Sequence, residues 1–166
     1  MSAVQGFDFA FSERRNQKGG IKYGKGSNPK AATFVGTPIS KWITTSAKTL
    51  ESMFLGATNM NADLGGWDVT QVNDLESTFE EASSYEGEGL HKWALLSNQF
   101  GSISDTFSDA TSMTTCNKHL IAEMWKKYSY DWSKEWKKET CTRTQLTNSQ
   151  FKQASYGKIT VVPMIL

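Results

Sequence analysis

The 166 residues include only two cysteines, two histidines and no apolar run long enough to cross a membrane. Two cysteines are too few for a miniprotein built on disulfides. No stretch reaches the roughly 18 consecutive apolar residues that a bilayer span requires. The histidines, His91 and His119, stand in no H-E-x-x-H spacing, and no Cys/His cluster supplies the ligands of a zinc site. Acidic residues are plentiful, yet a catalytic carboxylate pair cannot be singled out from a wet acidic surface. The sequence therefore points away from an enzyme and offers no catalytic residue, no metal ligand and no cofactor site. The opening Met1-Ser2-Ala3-Val4 does not begin a charged-then-apolar signal peptide.

An excess of one charge sign is also lacking, since the formal net charge is +1. That total conceals segregation. Residues 1–41 carry seven Lys/Arg against two acids, residues 42–115 two lysines against eleven acids, and residues 116–166 nine Lys/Arg against four acids. An acidic middle of net −9 thus lies between flanks of +5 each. Segregation on this scale implies contacts between segments or with partners.

In the first flank, Phe7, Phe9 and Phe11 alternate with Asp8 and Ala10, the pattern of a short strand or extended anchor. Residues 12–30 are polar, basic and rich in glycine, with too little apolar area to order themselves. Residues 1–41 are accordingly expected to form an arm held either by the chain's own domain or, the reading preferred, by a partner through Phe7, Phe9, Phe11, Arg14, Arg15, Lys18, Lys22 and Lys25. Gly19, Gly24 and Lys25 imitate a phosphate-binding loop. Gly26 stands where Ser or Thr should hold magnesium, and Asn28-Pro29 follows where a helix should, so the loop is read as merely flexible.

The middle repeats itself. Trp42, Leu50, Met53, Phe54, Ala57, Met60 and Leu64 recur 25 residues later (26 at the last position) as Trp67, Leu75, Thr78, Phe79, Ala82, Tyr85 and Leu90. A third unit follows with Trp93, Ile103, Thr106, Phe107, Ala110 and Met113. Leu75, Thr78, Phe79 and Ala82 have the i, i+3, i+4, i+7 spacing of one helix face. Asp74, Thr49 and Ser102 stand where an N-cap belongs. Trp67 to Val72 reads as a short strand or an extended turn. The expected fold is an α/β repeat: a short right-handed solenoid of strand–turn–helix units over 42–115, like a leucine-rich repeat, with extended N- and C-terminal arms. The aromatic and aliphatic repeat positions, Trp42 among them, are assigned to its core.

Met53-Phe54-x-x-Ala57, then Asp63-Leu64-x-x-Trp67-Asp68-Val69-Thr70, then Val72, resembles the BspA-type (DUF285) repeat over residues 42–115. The third unit has lost the Trp-Asp-Val-Thr signature. The resemblance implies binding or structural roles, in bacterial surface proteins, mycoplasma lipoproteins or proteins of algae and protists. It implies no catalytic residues.

From Asn117 the period is helical. Leu120, Ile121, Met124, Trp125, Tyr128, Trp132 and Trp136 fall within an arc of about 160°. Residues 116–138 are expected to form an amphipathic cap helix over the open end of the repeats, with Trp132 and Trp136 turned to a partner. A straight helix over 118–138 would hold its ends about 30 Å apart. Cys116 and Cys141 then remain two thiols, unless a break near Ser129 to Ser133 lets them bond. Residues 139–166 form a C-terminal arm whose apolar end, with Ile165 and Leu166, suits an edge strand or a tail tucked into another subunit.

The function expected from these features is a non-catalytic interaction or structural subunit of a larger complex, with other protein subunits as partners. An algal organellar membrane assembly such as a photosystem, touched peripherally, is one setting, plastid or thylakoid-associated; the cytosol is another. The alternative is a secreted or cell-surface adhesion module. An RNA-associated protein ranks third, because the acidic middle disfavours nucleic acid.

Overall fold

The computed structural model describes residues 5–14, 28–95, 101–125 and 131–142, with backbone only for 131–133. The chain divides into two compact units, Met1–Met113 and Thr114–Leu166.

In the first unit four segments lie side by side as layers: 5–14, 48–57, 73–82 and 101–110. Isolated parallel bridges join Gly6, Thr49, Asp74 and Ser102 in series. Backbone N–H groups then bond across the layers at every second residue. Phe7, Phe9, Phe11 and Glu13 donate to the carbonyls of Thr49, Glu51, Met53 and Leu55 at 2.8–3.3 Å. Leu50, Ser52, Phe54 and Gly56 donate to Asp74, Glu76, Thr78 and Glu80; Leu75, Ser77, Phe79 and Glu81 donate to Ser102, Ser104, Thr106 and Ser108. The N–H groups in between turn back within their own layer, as Thr78 to Leu75, Glu80 to Ser77 and Ala82 to Phe79.

Each layer is thus a run of consecutive β-turns. The third residue of the first turn has positive φ in every layer: Phe9 (53°), Ser52 (51°), Ser77 (53°) and Asp105 (53°). Gly56, Glu81 and Asp109 repeat this in the turn that closes the later three layers, at 71°, 57° and 57°. The expected cap residues do bind backbone, but as turn caps. Thr49 Oγ1, Asp74 Oδ1 and Ser102 Oγ accept the N–H two residues on, at 3.2, 2.9 and 3.3 Å.

The fold expected from the sequence is therefore corrected. Among the described residues there is no strand and no sheet, and the helices are α1 (Thr115–Met124), α2 (Asp131–Trp136) and three short 3-10 turns, Ala31–Thr33, Thr37–Lys41 and Leu90–Lys92. The strand–turn–helix unit fails for a physical reason. An α-helix needs every N–H to bond four residues back, and here alternate N–H groups leave the layer. Of the two readings of Trp67–Val72, a strand or an extended turn, the turn is the one found: Asp68 Oδ1 accepts from Thr70 N at 2.9 Å and Thr70 Oγ1 at 2.6 Å, and Val72 N donates to the Val69 carbonyl.

The extended N-terminal arm is corrected as well, because residues 5–14 are the first layer. The chain leaves that layer at Arg14 and rejoins it at Asn28, whose N and Nδ2 donate to the carbonyls of Glu13 (2.6 Å) and Ser12 (2.9 Å). Residues 28–42 then complete a repeat that ends, like the next two, in a tryptophan: Trp42, Trp67 and Trp93 donate their backbone N–H to Ile39, Leu64 and Leu90.

Side chains stack in register across the layers. Phe11, Phe54, Phe79 and Phe107 form one column with ring centroids 5.8, 5.5 and 5.7 Å apart. Trp42, Trp67 and Trp93 form another, at 6.4 and 6.2 Å with near-parallel planes. Polar groups inside this core bond between layers. Trp67 Nε1 donates to the Ile39 carbonyl (2.8 Å) and Trp93 Nε1 to Leu64 (3.0 Å); Thr78 Oγ1 donates to Leu50 and Thr106 Oγ1 to Leu75. Phe79 is fully buried between two neighbours of its column. Phe79→Ala is expected to lower the unfolding free energy by about 3–5 kcal/mol in a urea titration. A loss under about 1 kcal/mol would show that the column does not hold the layers.

In the second unit, Thr114 caps α1 by accepting the Asn117 N–H at 3.2 Å. α1 buries Cys116, Asn117, His119, Leu120, Ile121 and Ala122. In place of the single cap helix expected over 116–138 stand α1, which ends at Met124, and α2, which begins at Asp131. Cys116 and Cys141 are bonded, with Cα atoms 4.9 Å apart, so neither remains a free thiol. Reduction, or replacement of both cysteines by serine, is expected to cost about 3 kcal/mol. Hydrogen exchange at α1 amides checks this, and unchanged protection after reduction would refute it.

Candidate interaction surface

The residues that the sequence nominates for binding fall in different places. Phe9 is buried, 4% exposed, beneath the turn it occupies. Phe7 and Phe11 are half-buried: Phe7 lies 5.8 Å from Trp42, and Phe11 lies 5.7 Å from Trp42 and 3.9 Å from Phe34. Arg14 reaches over the second layer to Glu80 in the third, at 4.0 Å. Trp136 is half-buried with Lys118 Nζ 5.9 Å from its ring centre, and Trp132 lies in α2. Arg15, Lys18, Lys22, Lys25, Ile165 and Leu166 lie outside the described residues, as do Gly19, Gly24 and Gly26 of the false phosphate loop.

The large hydrophobic side chains that stand exposed among the described residues are others: Val35 (54%), Trp42 (37%) and Ile43 (87%). All three belong to the first repeat. Trp42 ends the tryptophan column, so its indole has a neighbour at Trp67 and no tryptophan beyond it. Phe7 and Phe11, in contact with Trp42, extend this apolar surface. The sequence assigned Trp42 to the core and passed over Val35 and Ile43. The available signal was position: Trp42 is the first of three recurring tryptophans, so one of its faces lacks a partner of its own kind.

The turn face of the layers is acidic. Asp8, Glu51 and Glu76 occupy the same register in three successive layers, as their backbone bonds show. Burial raises the Asp74 carboxyl above its ordinary range, the Glu76 amide opposes this, and the carboxylates of Glu76 and Asp8 raise it further. Asp68 is held below the ordinary range by its bonds from Thr70. A cavity of about 240 Å³ opens on this face, lined by Phe9, Arg14, Glu51, Ser52, Leu55, Glu76 and Ser77. Among the described residues no three His, Cys, Asp or Glu come together as a metal site.

His91 and His119 are both buried, and neither ring nitrogen of either has a hydrogen-bond partner. His91 has no exposed surface and sits in the 3-10 turn Leu90–Lys92 after Gly89, beside Trp93. Burial, then the Lys92 cation, pushes its pKa down to about 4, while Asp63 acts the other way. The folded state therefore resists protonating His91 and the unfolded chain does not. Its contribution to stability is complete above about pH 6.5 and is lost as pH falls from there through about 4, to a total of about 3 kcal/mol. Asp74, with a raised pKa, acts in the opposite sense, so the comparison must be between proteins differing only at position 91. Thermal melts should show the native chain losing stability relative to His91→Leu as the pH is lowered through that window. Parallel curves across that window would remove His91 from the account.

No curated protein and no solved structure matches the chain. A family profile does: the one described as "Mycoplasma protein of unknown function, DUF285" matches residues 29–125, more than half of the chain. The match begins upstream of Trp42, in the return of the first layer, and runs to the end of α1, beyond the 42–115 that the repeat motif covers. The same residues, Met53-Phe54-x-x-Ala57 and Leu64-x-x-Trp67-Asp68-Val69-Thr70, build the second layer and the tryptophan column, and with them the chain belongs to the DUF285 family.

Proposed function

We propose that this chain is a non-catalytic interaction and structural subunit of a larger protein assembly. The observation that carries the reading is the exposure of Val35, Trp42 and Ile43, with Trp42 in contact with Phe7 and Phe11. Exposed aromatic and aliphatic side chains mark contact surfaces where they adjoin, and tryptophan is prominent among residues that anchor them. The polar groups of the repeat core support a structural role, since Trp67, Trp93, Thr78 and Thr106 use theirs to join layers. The partners proposed are other protein subunits, not nucleic acid. Among the described residues no helix is long and apolar enough to cross a membrane, so contact with a membrane complex is proposed as peripheral. The finer setting, an algal organellar assembly such as a photosystem, rests on the distribution of the repeat family alone.

The Cys116–Cys141 disulfide favours a second reading, a secreted or cell-surface adhesion module, because disulfides persist in oxidising compartments.

Size analysis of the native particle separates the two. An assembly subunit migrates with a mass far above 18.5 kDa, and Val35→Glu with Ile43→Glu releases it as a monomer. Both positions are exposed, so the double variant should keep its stability within about 0.5 kcal/mol. A native chain that migrates alone would sink the subunit reading.

A further inference from the structure

The first layer differs from the other three in what lies beyond it. In the later layers, carbonyls at matched positions accept N–H groups from the layer before: Thr49 and Glu51, Asp74 and Glu76, Ser102 and Ser104. The matching carbonyls of the first layer belong to Gly6 and Asp8, and among the described residues they accept nothing. Farther along, Ser12 is engaged by Asn28 and Ala10 has a further partner of its own, so the open acceptors are these two.

The tryptophans repeat the asymmetry. Trp67 and Trp93 each donate their indole N–H to a carbonyl one layer back. Trp42 Nε1 has no hydrogen-bond partner among the described residues, and its ring is 37% exposed. The rings of Phe7 and Phe11 adjoin it at a tilt, Phe11 being stacked on Phe34, and Ile43, the next residue, is exposed. Asp8, exposed at the edge of the acidic register, accepts Thr49 Oγ1 on its Oδ1 but lacks the neighbour on its outer side that Glu51 has on both.

Two acceptors, one donor, an apolar ring surface and a carboxylate are thus left in the register that every internal layer contact uses. We infer that the outer face of the first layer is a docking site for a protein segment that adds as one more layer of the stack. This deepens the interaction reading and rests on it. The occupant is a turn-forming peptide of a partner protein. Two of its main-chain N–H groups, two residues apart, donate to the Gly6 and Asp8 carbonyls. A carbonyl accepts Trp42 Nε1, an aromatic side chain covers Phe11, and a lysine or arginine lies opposite Asp8. Main-chain pairing of this kind supplies affinity, and the side-chain positions supply selectivity.

The repeat itself provides a probe. A synthetic peptide of residues 73–93 with Glu76→Lys carries each group named, since Leu75 and Ser77 N–H are the donors that match Gly6 and Asp8. It is titrated into the isotope-labelled full chain and followed at the Trp42 indole N–H and the Gly6 and Asp8 carbonyl carbons. Saturable shifts at these atoms are expected. N-methylation of the peptide at Leu75 and Ser77 removes two hydrogen bonds and is expected to weaken binding about tenfold or more. Trp42→Phe keeps a ring and removes the donor, for a loss of about threefold to tenfold. Ile43→Glu should abolish binding, and because both sites are exposed, circular dichroism should show the fold intact. The proposal falls if the Trp42 indole signal is unmoved at about 1 mM peptide, or if the N-methylated peptide binds equally well. It also falls if the protein alone self-associates through this face, which would make a second copy the occupant. If the peptide fails while Ile43→Glu still releases the chain from its native particle, layer addition is wrong and the interaction reading stands.

Discussion

Alternate backbone N–H groups of each layer point in two directions, and the rest of the first unit depends on that alternation. One set bonds to the next layer and fixes the register; the other closes β-turns and keeps each layer short. Closing turns of this type forces a left-handed residue at regular intervals, a conformation that costs a non-glycine residue about 1–2 kcal/mol. The unit accepts it at Phe9, Ser52, Ser77, Glu81, Asp105 and Asp109. Aspartate tolerates it better than most residues. Phe9 does not, and is held there by burial, which for a phenylalanine is worth about 1.5–3 kcal/mol. Hydrogen bonds of about 1 kcal/mol each, made in register through four layers, offset the strain collectively. The aromatic columns follow from the same register, because residues matched by backbone bonds must stack their side chains.

The repeat was legible in the sequence and its conformation was not. Leu75, Thr78, Phe79 and Ala82 face one way in an α-helix and also in this run of turns, so the i, i+3, i+4, i+7 spacing cannot separate the two. The signal that could have done so is weak: Gly56, a residue suited to left-handed backbone, lies inside the supposed helix of the first unit. The first layer was missed because residues 15–27 intervene between its two parts. Phe7 and Phe11 have the spacing of Leu50 and Phe54, yet they precede them by 43 residues where the period is 25. Cap positions Thr49, Asp74 and Ser102 were legible because the chemistry is shared: a side-chain oxygen accepting a nearby N–H opens a turn as well as a helix. Of the contact surface, Phe7 and Phe11 could be read from the sequence. Val35 and Ile43 could not, since nothing local tells an exposed aliphatic residue from a buried one.

The hidden charge segregation has a structural counterpart. Register that stacks rings also stacks carboxylates, and Asp8, Glu51 and Glu76 meet as like charges across layers, which is unfavourable. Asp74 beside them has its carboxyl raised by burial first, and further by the charges of Glu76 and Asp8. The basic flank answers it at one described point, Arg14 with Glu80, where both side chains are partly exposed and the pair is worth at most about 1 kcal/mol. The acidic body is therefore sustained by packing and backbone bonds, and salt, by screening the carboxylates, relieves it.

A stack of layers must end, and the way it ends is a statement about its surroundings. Terminal repeats that face water carry a polar outer surface, because the apolar face of an internal layer would otherwise be left wet. The first layer and its return, 28–43, instead present Val35, Trp42 and Ile43 to the outside, with Phe7 and Phe11 half-covered. Trp42 lies beside the Trp67 ring and Phe11 beside the Phe54 ring, one register step out, so this part of the surface has the composition of an interior contact. A layer built to be the last would gain by replacing Ile43 and Val35 with polar residues at no cost to the bonds beneath. Their retention, beside an unmatched indole N–H and two unmatched carbonyls, is the pattern of a layer that is internal in its working state.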